Sequence, residues 1–303
     1  MSPPIGAAAP RETGRETMAR ARARASLIPD LLVEAHRVAN NVFAGWHGRR
    51  KRGVGENFWQ FRHYVTGENM ATIDWRRSAR DDSLYVRDRE WQATHMVWLW
   101  VDESPSMLFR SNQAMVSKQS RALVLAFAMA ELLARSGERL GWLGLTRPML
   151  SRRAAHSLGQ ALAIAPPQTE LPSAEGLRGY SDIVLISDFL GDQEELATKL
   201  QAYARRGARG HLVQIVDPVE EIFPYAGRVE FTDPETGTKL TAGSAQGLRD
   251  DYERLFAAHT ESVRALARAI GWTHTLHRTS QPALRALVSL HVHLGQDAWS
   301  PGS

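Results

Sequence analysis

The 303-residue sequence has no cysteine, which excludes disulfides, thiolate zinc sites and cysteine nucleophiles. It also lacks a long apolar run. The most continuous are Met96 to Val101 and Ala122 to Ala130, well short of the roughly eighteen residues that a membrane span requires. The N-terminus is rich in Pro, Ala and Arg without the apolar stretch of a secretory signal, and Glu12 and Glu16 count against a transit peptide. The chain therefore reads as soluble and fits a cytoplasmic location. Also missing are G-x-x-x-x-G-K-[ST], G-x-S-x-G and H-E-x-x-H, so ATP hydrolysis by the chain itself is not expected.

Charge is modest and local. The formal net charge is +4, of which residues 1 to 26 carry +3 and residues 47 to 91 another +3, leaving the remainder slightly acidic. An Arg-rich arm can bind nucleic acid or an anionic surface, but a short stretch of mixed sign reads first as a solvated, disordered tail. The run Arg49 to Arg52 reads the same way, as a solvated Gly-flanked loop.

With 43% hydrophobic residues, the chain can bury one large core with a smaller lobe appended. The expected division is a disordered arm over 1–26, a lobe with a helix and strands over 27–92, an α/β domain over 93–295 and a disordered tail over 296–303. Ser26-Leu27-Ile28-Pro29-Asp30 resembles a helix entry, placing a first helix from Leu31 to Val42. Asn57 to Val65 and Leu84 to Trp91 are short strand-like pieces around the turn-forming Thr66-Gly67-Glu68-Asn69. Between them, Asp74-Trp75-Arg76-Arg77 reads either as an anion-binding surface or, preferably, as a structural turn with a buried Trp.

Beyond Gln92, apolar strands alternate with helical stretches, the pattern of a mostly parallel sheet with helices on both faces. Met96 to Val101, Leu140 to Leu145, Ile183 to Ser187, Leu212 to Val216 and Trp272 to Leu276 are the expected strands. Ser117 is placed to cap a helix running to Arg135, with Gly137 as its stop. Ala257 to Ile270 and a segment opened by Pro282 are helical by pattern. Asp233-Pro234-Glu235-Thr236-Gly237, within Arg228 to Thr241, signals a hairpin.

Asp102-Glu103-Ser104-Pro105-Ser106 follows the first buried strand directly. It puts one carboxylate and two hydroxyls at the carboxyl end of a central strand, the edge where ligands bind in open α/β sheets. Oxygen donors at alternate positions of a turning loop suit a hard cation such as Mg²⁺, with Mn²⁺ or Ca²⁺ as substitutes. Asp188 ends another strand and projects from the same edge. The bland alternative is that Asp and Ser here are ordinary loop and cap residues. His291-Val292-His293 and His274 with His277 invite a zinc reading, against which the lack of Cys or of a carboxylate at ligand spacing counts.

The D-x-S-x-S and the strand-ending Asp resemble the metal-ion-dependent adhesion site of von Willebrand factor A domains. That resemblance implies Ser104, Ser106 and Thr169, the last within Pro166-Pro167-Gln168-Thr169-Glu170-Leu171, as ligands touching the metal. Asp102 and Asp188 would then act largely through water. Neutral hydroxyls leave an ion electrophilic, so a partner's Asp or Glu can fill its open position. Pro105 and Phe189 depart from the pattern, which more often has a small residue at the first and Gly at the second.

The upstream lobe is similar to the domain of unknown function 58 family, on Gly53-Val54-Gly55-Glu56-Asn57-Phe58, Arg62-His63-Tyr64, Ile73-Asp74-Trp75-Arg76-Arg77-Ser78-Ala79-Arg80 and Leu84-Tyr85-Val86-Arg87. Asp217-Pro218 and Glu235-Thr236-Gly237 extend the match. The resemblance implies a non-enzymatic protein-binding adaptor, with a MoxR-type AAA+ ATPase and other von Willebrand A-domain proteins as partners. Nucleic-acid or anionic-surface binding through the Arg-rich segments is the alternative. Weaker still is a metal-assisted hydrolase, for which Glu103 is the one acid close in sequence.

Overall fold

The computed structural model describes residues 14–47, 59–65, 69–80, 83–89, 95–177 and 181–296. The Gly53 to Phe58 motif, the basic run Arg49 to Arg52, the Thr66-Gly67-Glu68 stretch, the first thirteen residues and the tail from 297 lie outside the described residues. The chain divides into two compact units, one of Gly45–Thr94 and one of Met1–Ala44 with His95–Ser303.

The first helix, α1 (Gly14–His47), corrects two expectations. It begins well before Leu27, so residues 14–26 are helical and not a solvated tail, and its part up to Ala44 belongs to the larger unit, not to the strand-containing lobe. The physical reason is a buried stripe. Arg24, Ile28, Leu31, Ala35, Val38 and Val42 are buried at alternating spacings of four and three, the repeat that keeps side chains on one helical face. Five of them join the main apolar core.

In the small unit, β1 (Trp59–His63) pairs antiparallel with β2 (Tyr85–Arg89). Asp74 caps the one-turn helix α2 (Trp75–Ser78) by accepting from Arg77 N at 3.0 Å. The stretch is a structural turn, but Trp75 is 58% exposed and not buried. Ser78 Oγ accepts from Tyr85 N at 2.9 Å, joining the turn to β2.

In the larger unit, β3 (Met96–Val101), β4 (Arg139–Trp142), β5 (Ser181–Ser187), β6 (Ala208–Val216) and β9 (Thr273–Arg278) form an all-parallel sheet in the order β4-β3-β5-β6-β9. Side-chain alternation feeds two cores. Val97, Leu99, Val101, Val184, Ile186, Val213 and Ile215 face a layer with α1, α3 (Lys118–Arg135), α4 (Ala154–Ile164) and α8 (Ala283–Gln296). Trp98, Trp100, Ile183, Leu185 and Leu212 face α5 (Gln193–Arg205) and α7 (Arg249–Ala269). Burial on both faces explains the unbroken apolar strands.

Two further pieces position the site. α6 (Pro218–Ile222) follows β6 directly, and a hairpin of β7 (Val229–Thr232) and β8 (Lys239–Ala242) stands apart from the main sheet. The hairpin rests on a satellite cluster of Phe223, Ala242 and Ala245, with Tyr225, Val229, Phe231 and Tyr252 against it.

Candidate functional site

The strand order reverses at β3, with β4 on one side and β5, β6 and β9 on the other. Loops leaving the carboxyl ends of β3 and β5 must therefore diverge to opposite faces, opening a crevice between them. Asp102 leaves β3 there, its N–H donating to Ile186 O at 2.9 Å, and Asp188 leaves β5. Both are buried, at 7% and 4% exposure.

The loop after β3 folds on its own side chains. Asp102 Oδ1 accepts from Ser104 N at 2.8 Å, and the Ser104 and Ser106 hydroxyls lie 3.0 Å apart. Ser104 is the cap of a 3-10 turn over Pro105–Leu108. Pro105 is its first residue, where a missing N–H leaves no bond unmade, so this departure from the family pattern fits the local geometry.

At the end of β5, Ser187 Oγ donates to Asp102 Oδ2 at 2.6 Å and accepts from Phe189 N at 2.8 Å. Phe189 has φ +57°, a conformation that suits Gly and costs a residue with a Cβ. Its side chain is buried in the core facing α5 and α7, which offsets the strain.

Asp102, Ser104, Ser106 and Asp188 thus converge. Thr169 is exposed and lines, with Asp102 and Ser187, a neighbouring pocket of about 110 Å³. Burial and then the nearby Asp188 charge push the Asp102 carboxyl up to about 7, against hydrogen bonds from Ser187 and Ser104. A buried acid whose ionisation is opposed by a neighbouring carboxylate leaves a place for positive charge.

Part of that charge is Lys118, which is fully buried at the start of α3. Its Nζ donates to Asp188 Oδ2 at 2.8 Å and to Glu220 Oε1 at 2.6 Å. Against the lowering effect of burial, the Asp188 and Glu220 charges raise its pKa above the usual lysine value. Glu220 also completes a capping box with Asp217, which in turn accepts from Ser111 N at 2.9 Å. Asp217-Pro218 therefore fastens the loop after β3 to the end of β6.

The donor set suits a hard divalent ion. Asp102 and Asp188 have each oxygen engaged by a protein donor, since Asp188 Oδ1 also accepts from Leu190 N at 3.2 Å. With an ion bound, they would balance its charge, and the paired Ser104 and Ser106 hydroxyls would offer it neutral oxygens.

Glu103 is fully buried. Arg24 Nη1 donates to both of its carboxylate oxygens at 2.5 Å, Gln168 N donates to Oε2 at 3.0 Å, and Glu103 N donates to Gln168 O at 2.9 Å. Arg24 also donates to Leu162 O and Ala165 O, and Arg20 to Glu103 O. Glu103 is hence a junction between α1, the loop after β3 and the loop carrying Thr169. Its carboxylate is turned into the protein.

The sequence reading missed Arg20, Arg24, Lys118 and Glu220, and named Glu235 only as part of a hairpin and of the family match. Arg24 falls in phase with the apolar stripe of α1. A Lys in the first turn opposes the helix dipole, which marks Lys118 as a residue with a carboxylate partner. Glu235, at the tip of the β7–β8 hairpin, borders one cavity with Ser106 and Lys118. Burial and then the Asp188 and Asp233 charges hold its carboxyl above the usual range, against the effects of Ser106 and the Arg20 charge. No local pattern signals that position.

Fold and site together define an open parallel α/β domain, the architecture expected of a von Willebrand A-like chain, with an oxygen-donor cluster at its switch point. The chain belongs to the family described as "Protein of unknown function DUF58", which matches residues 60–262. It is similar to uncharacterized proteins of Mycobacterium tuberculosis and Mycobacterium bovis, each 28% identical over 272 residues, covering 82% of this chain and 83% of theirs. Among solved structures, it is similar to the conserved hypothetical protein BatB from Bacteroides thetaiotaomicron, at 16% identity and TM-score 0.38 over 67% of this chain and 99% of that one. An aerotolerance-related membrane protein from Bacteroides fragilis is 15% identical, with TM-score 0.37 over 64% and 97%. Among the described residues, no helix is long and apolar enough to cross a membrane.

Proposed function

We propose that this protein is a non-enzymatic adaptor that binds an acidic side chain of a protein partner through a Mg²⁺ ion held at Ser104, Ser106 and Thr169, with Asp102 and Asp188 behind them. A MoxR-type AAA+ ATPase is the proposed partner. The observation that carries this reading is the convergence of two neutral hydroxyls and two buried, mutually repelling carboxylates at the sheet's switch point. An ion there keeps its affinity for a further anionic ligand because its direct protein ligands are uncharged.

The surroundings support a protein partner. Loops carrying the cluster expose Leu108, Phe109, Met115 and Leu190 at 45%, 37%, 90% and 53%, apolar groups of the kind that anchor an interface. Glu103, the acid closest in sequence, is committed to Arg24, which counts against its acting as a base for hydrolysis. The basic arm's Arg24 is likewise used inside the fold, so it is not offered to a polyanion.

The test is complex formation between the full chain and a MoxR-type AAA+ ATPase, measured in Mg²⁺ and in chelator. Binding is expected in Mg²⁺ and loss in chelator, with Asp102→Ala matching the chelated state. Equal binding in both conditions would remove the metal-dependent reading.

A further inference from the structure

The β7–β8 hairpin brings a carboxylate to the cluster from within the chain. Its tip is preset. Asp233 Oδ1 accepts from Glu235 N at 2.9 Å, Asp233 Oδ2 accepts from Thr236 Oγ1 at 2.6 Å, and Gly237 N donates to Asp233 O at 2.9 Å. Gly237 has φ +69°, which a residue with a side chain adopts only at a cost. This loop holds Glu235 on the border of a cavity that Ser106 and Lys118 also line, within range of the Asp188 charge.

The rest of the hairpin is lightly held. It is a two-stranded sheet, which is marginal by itself, and its support is the satellite aromatic cluster. A cavity of about 330 Å³ is bordered by Ser106, Phe109, Lys118 and Leu190 on one hand and by Phe231 and Glu235 of the hairpin on the other. That space lies at the hairpin tip, so residues 232–235 can lift while Phe231 and Ala242 stay packed in the satellite cluster.

We propose that Glu235 is the chain's own occupant of the partner-binding position: it takes the place on the ion that an acidic side chain of the partner takes, and the partner binds by displacing the hairpin tip. The inference rests on the metal-site reading and deepens it. Three features favour an occupant over an incidental contact. A carboxylate borders the same cavity as a hydroxyl of the D-x-S-x-S motif, the charges of Asp188 and Asp233 act on it, and the tip geometry that holds it is built by dedicated hydrogen bonds. Arg20, whose charge acts on Glu235 and whose guanidinium donates to Glu103 O, eases the repulsion in the resting protein.

The test uses the full chain with Mn²⁺ as the probe, read by water-proton relaxation, which reports waters on the bound ion. Acetate serves as the free carboxylate. In Glu235→Gln, a water replaces the carboxylate, so the relaxation enhancement rises. Acetate then displaces that water at about tenfold lower concentration than in wild type, because no tethered competitor remains. Glu230→Gln, on the same hairpin but with Glu230 paired to Lys239 at 2.7 Å, should follow wild type and so controls for charge alone. Coincident acetate curves for wild type and Glu235→Gln, or an equal shift in Glu230→Gln, overturn the proposal. If wild type binds no Mn²⁺, the metal site and the hairpin's role fall together. If wild type binds Mn²⁺, Asp102→Ala does not, and Glu235→Gln leaves the curves unchanged, only the hairpin's role fails.

Discussion

Lys118 Nζ lies 2.8 Å from Asp188 Oδ2, a fully buried ammonium against a buried carboxylate at the mouth of the sheet. The same nitrogen holds Glu220, so one cation serves two acids from successive loops. Lys118→Met leaves both uncompensated and should cost about 3–5 kcal/mol of stability in chelator. Saturating Mg²⁺ should recover part of that loss, because the ion shares the charge that Lys118 supplied. Denaturant unfolding with and without Mg²⁺ measures this, and an identical loss in both conditions would separate the lysine from the ion's electrostatics.

Arg24→Met should destabilise the protein by a similar amount, about 3–5 kcal/mol, because Glu103 is then buried without its ion-pair partner. Arg24→Lys should rescue little, since one ammonium cannot reproduce a fork that serves Glu103, Leu162 O and Ala165 O. Amide exchange should quicken in residues 14–26 and in the Gln168 loop together. Faster exchange in the helix alone would mean that Glu103 does not join the two.

These two arginine and lysine contacts show what was legible in the sequence and what was not. Strands β3 and β5 and the cap and stop of α3 are written in unbroken apolar runs and in Ser117 and Gly137, local signals that tertiary packing reinforces. The start of α1 was obscured because its first turns are Arg-rich, and the one buried arginine there, Arg24, is paired with Glu103, which lies 79 residues further along the chain. Asp102, Ser104, Ser106 and Asp188 were readable because strand ends fix their location. Glu235 was recognisable as part of a hairpin, but where a hairpin tip lands is decided by the aromatic cluster beneath it. That information is non-local.

The pH response follows from Asp102. Its folded pKa of about 7 stands above the ordinary 3.8, so between those values the folded protein keeps a proton that the unfolded chain has lost. The stability contributed by that proton is complete below the ordinary value and disappears as pH rises through about 7. Mg²⁺ competes with the same proton. Its affinity should rise by up to about tenfold per pH unit below 7 and level off above it. Thermal shifts in Mg²⁺ should be larger at pH 8 than at pH 6, and Asp102→Asn should flatten the difference. A shift independent of pH in wild type would contradict this.

Phe189 offers a test of strain beside the site. Phe189→Ala loses a buried ring while keeping a Cβ at φ +57°, and should cost about 3 kcal/mol or more. Phe189→Gly loses the same ring but relaxes the backbone, so it should be about 1 kcal/mol more stable than the Ala variant. Chemical denaturation of the pair gives the comparison directly. An Ala variant more stable than the Gly variant would show that the loop after β5 does not need the left-handed conformation.

The central claim is that the loop cluster holds a divalent ion through its hydroxyls. Calorimetric titration of Mg²⁺ into the wild type and into the Ser104→Ala/Ser106→Ala double variant, both checked for native folding, tests it most directly. One site with a Kd on the order of 10⁻⁴–10⁻³ M is expected in the wild type, with no binding in the double variant. No heat up to about 10 mM Mg²⁺ in the wild type, or equal binding in both proteins, would contradict it.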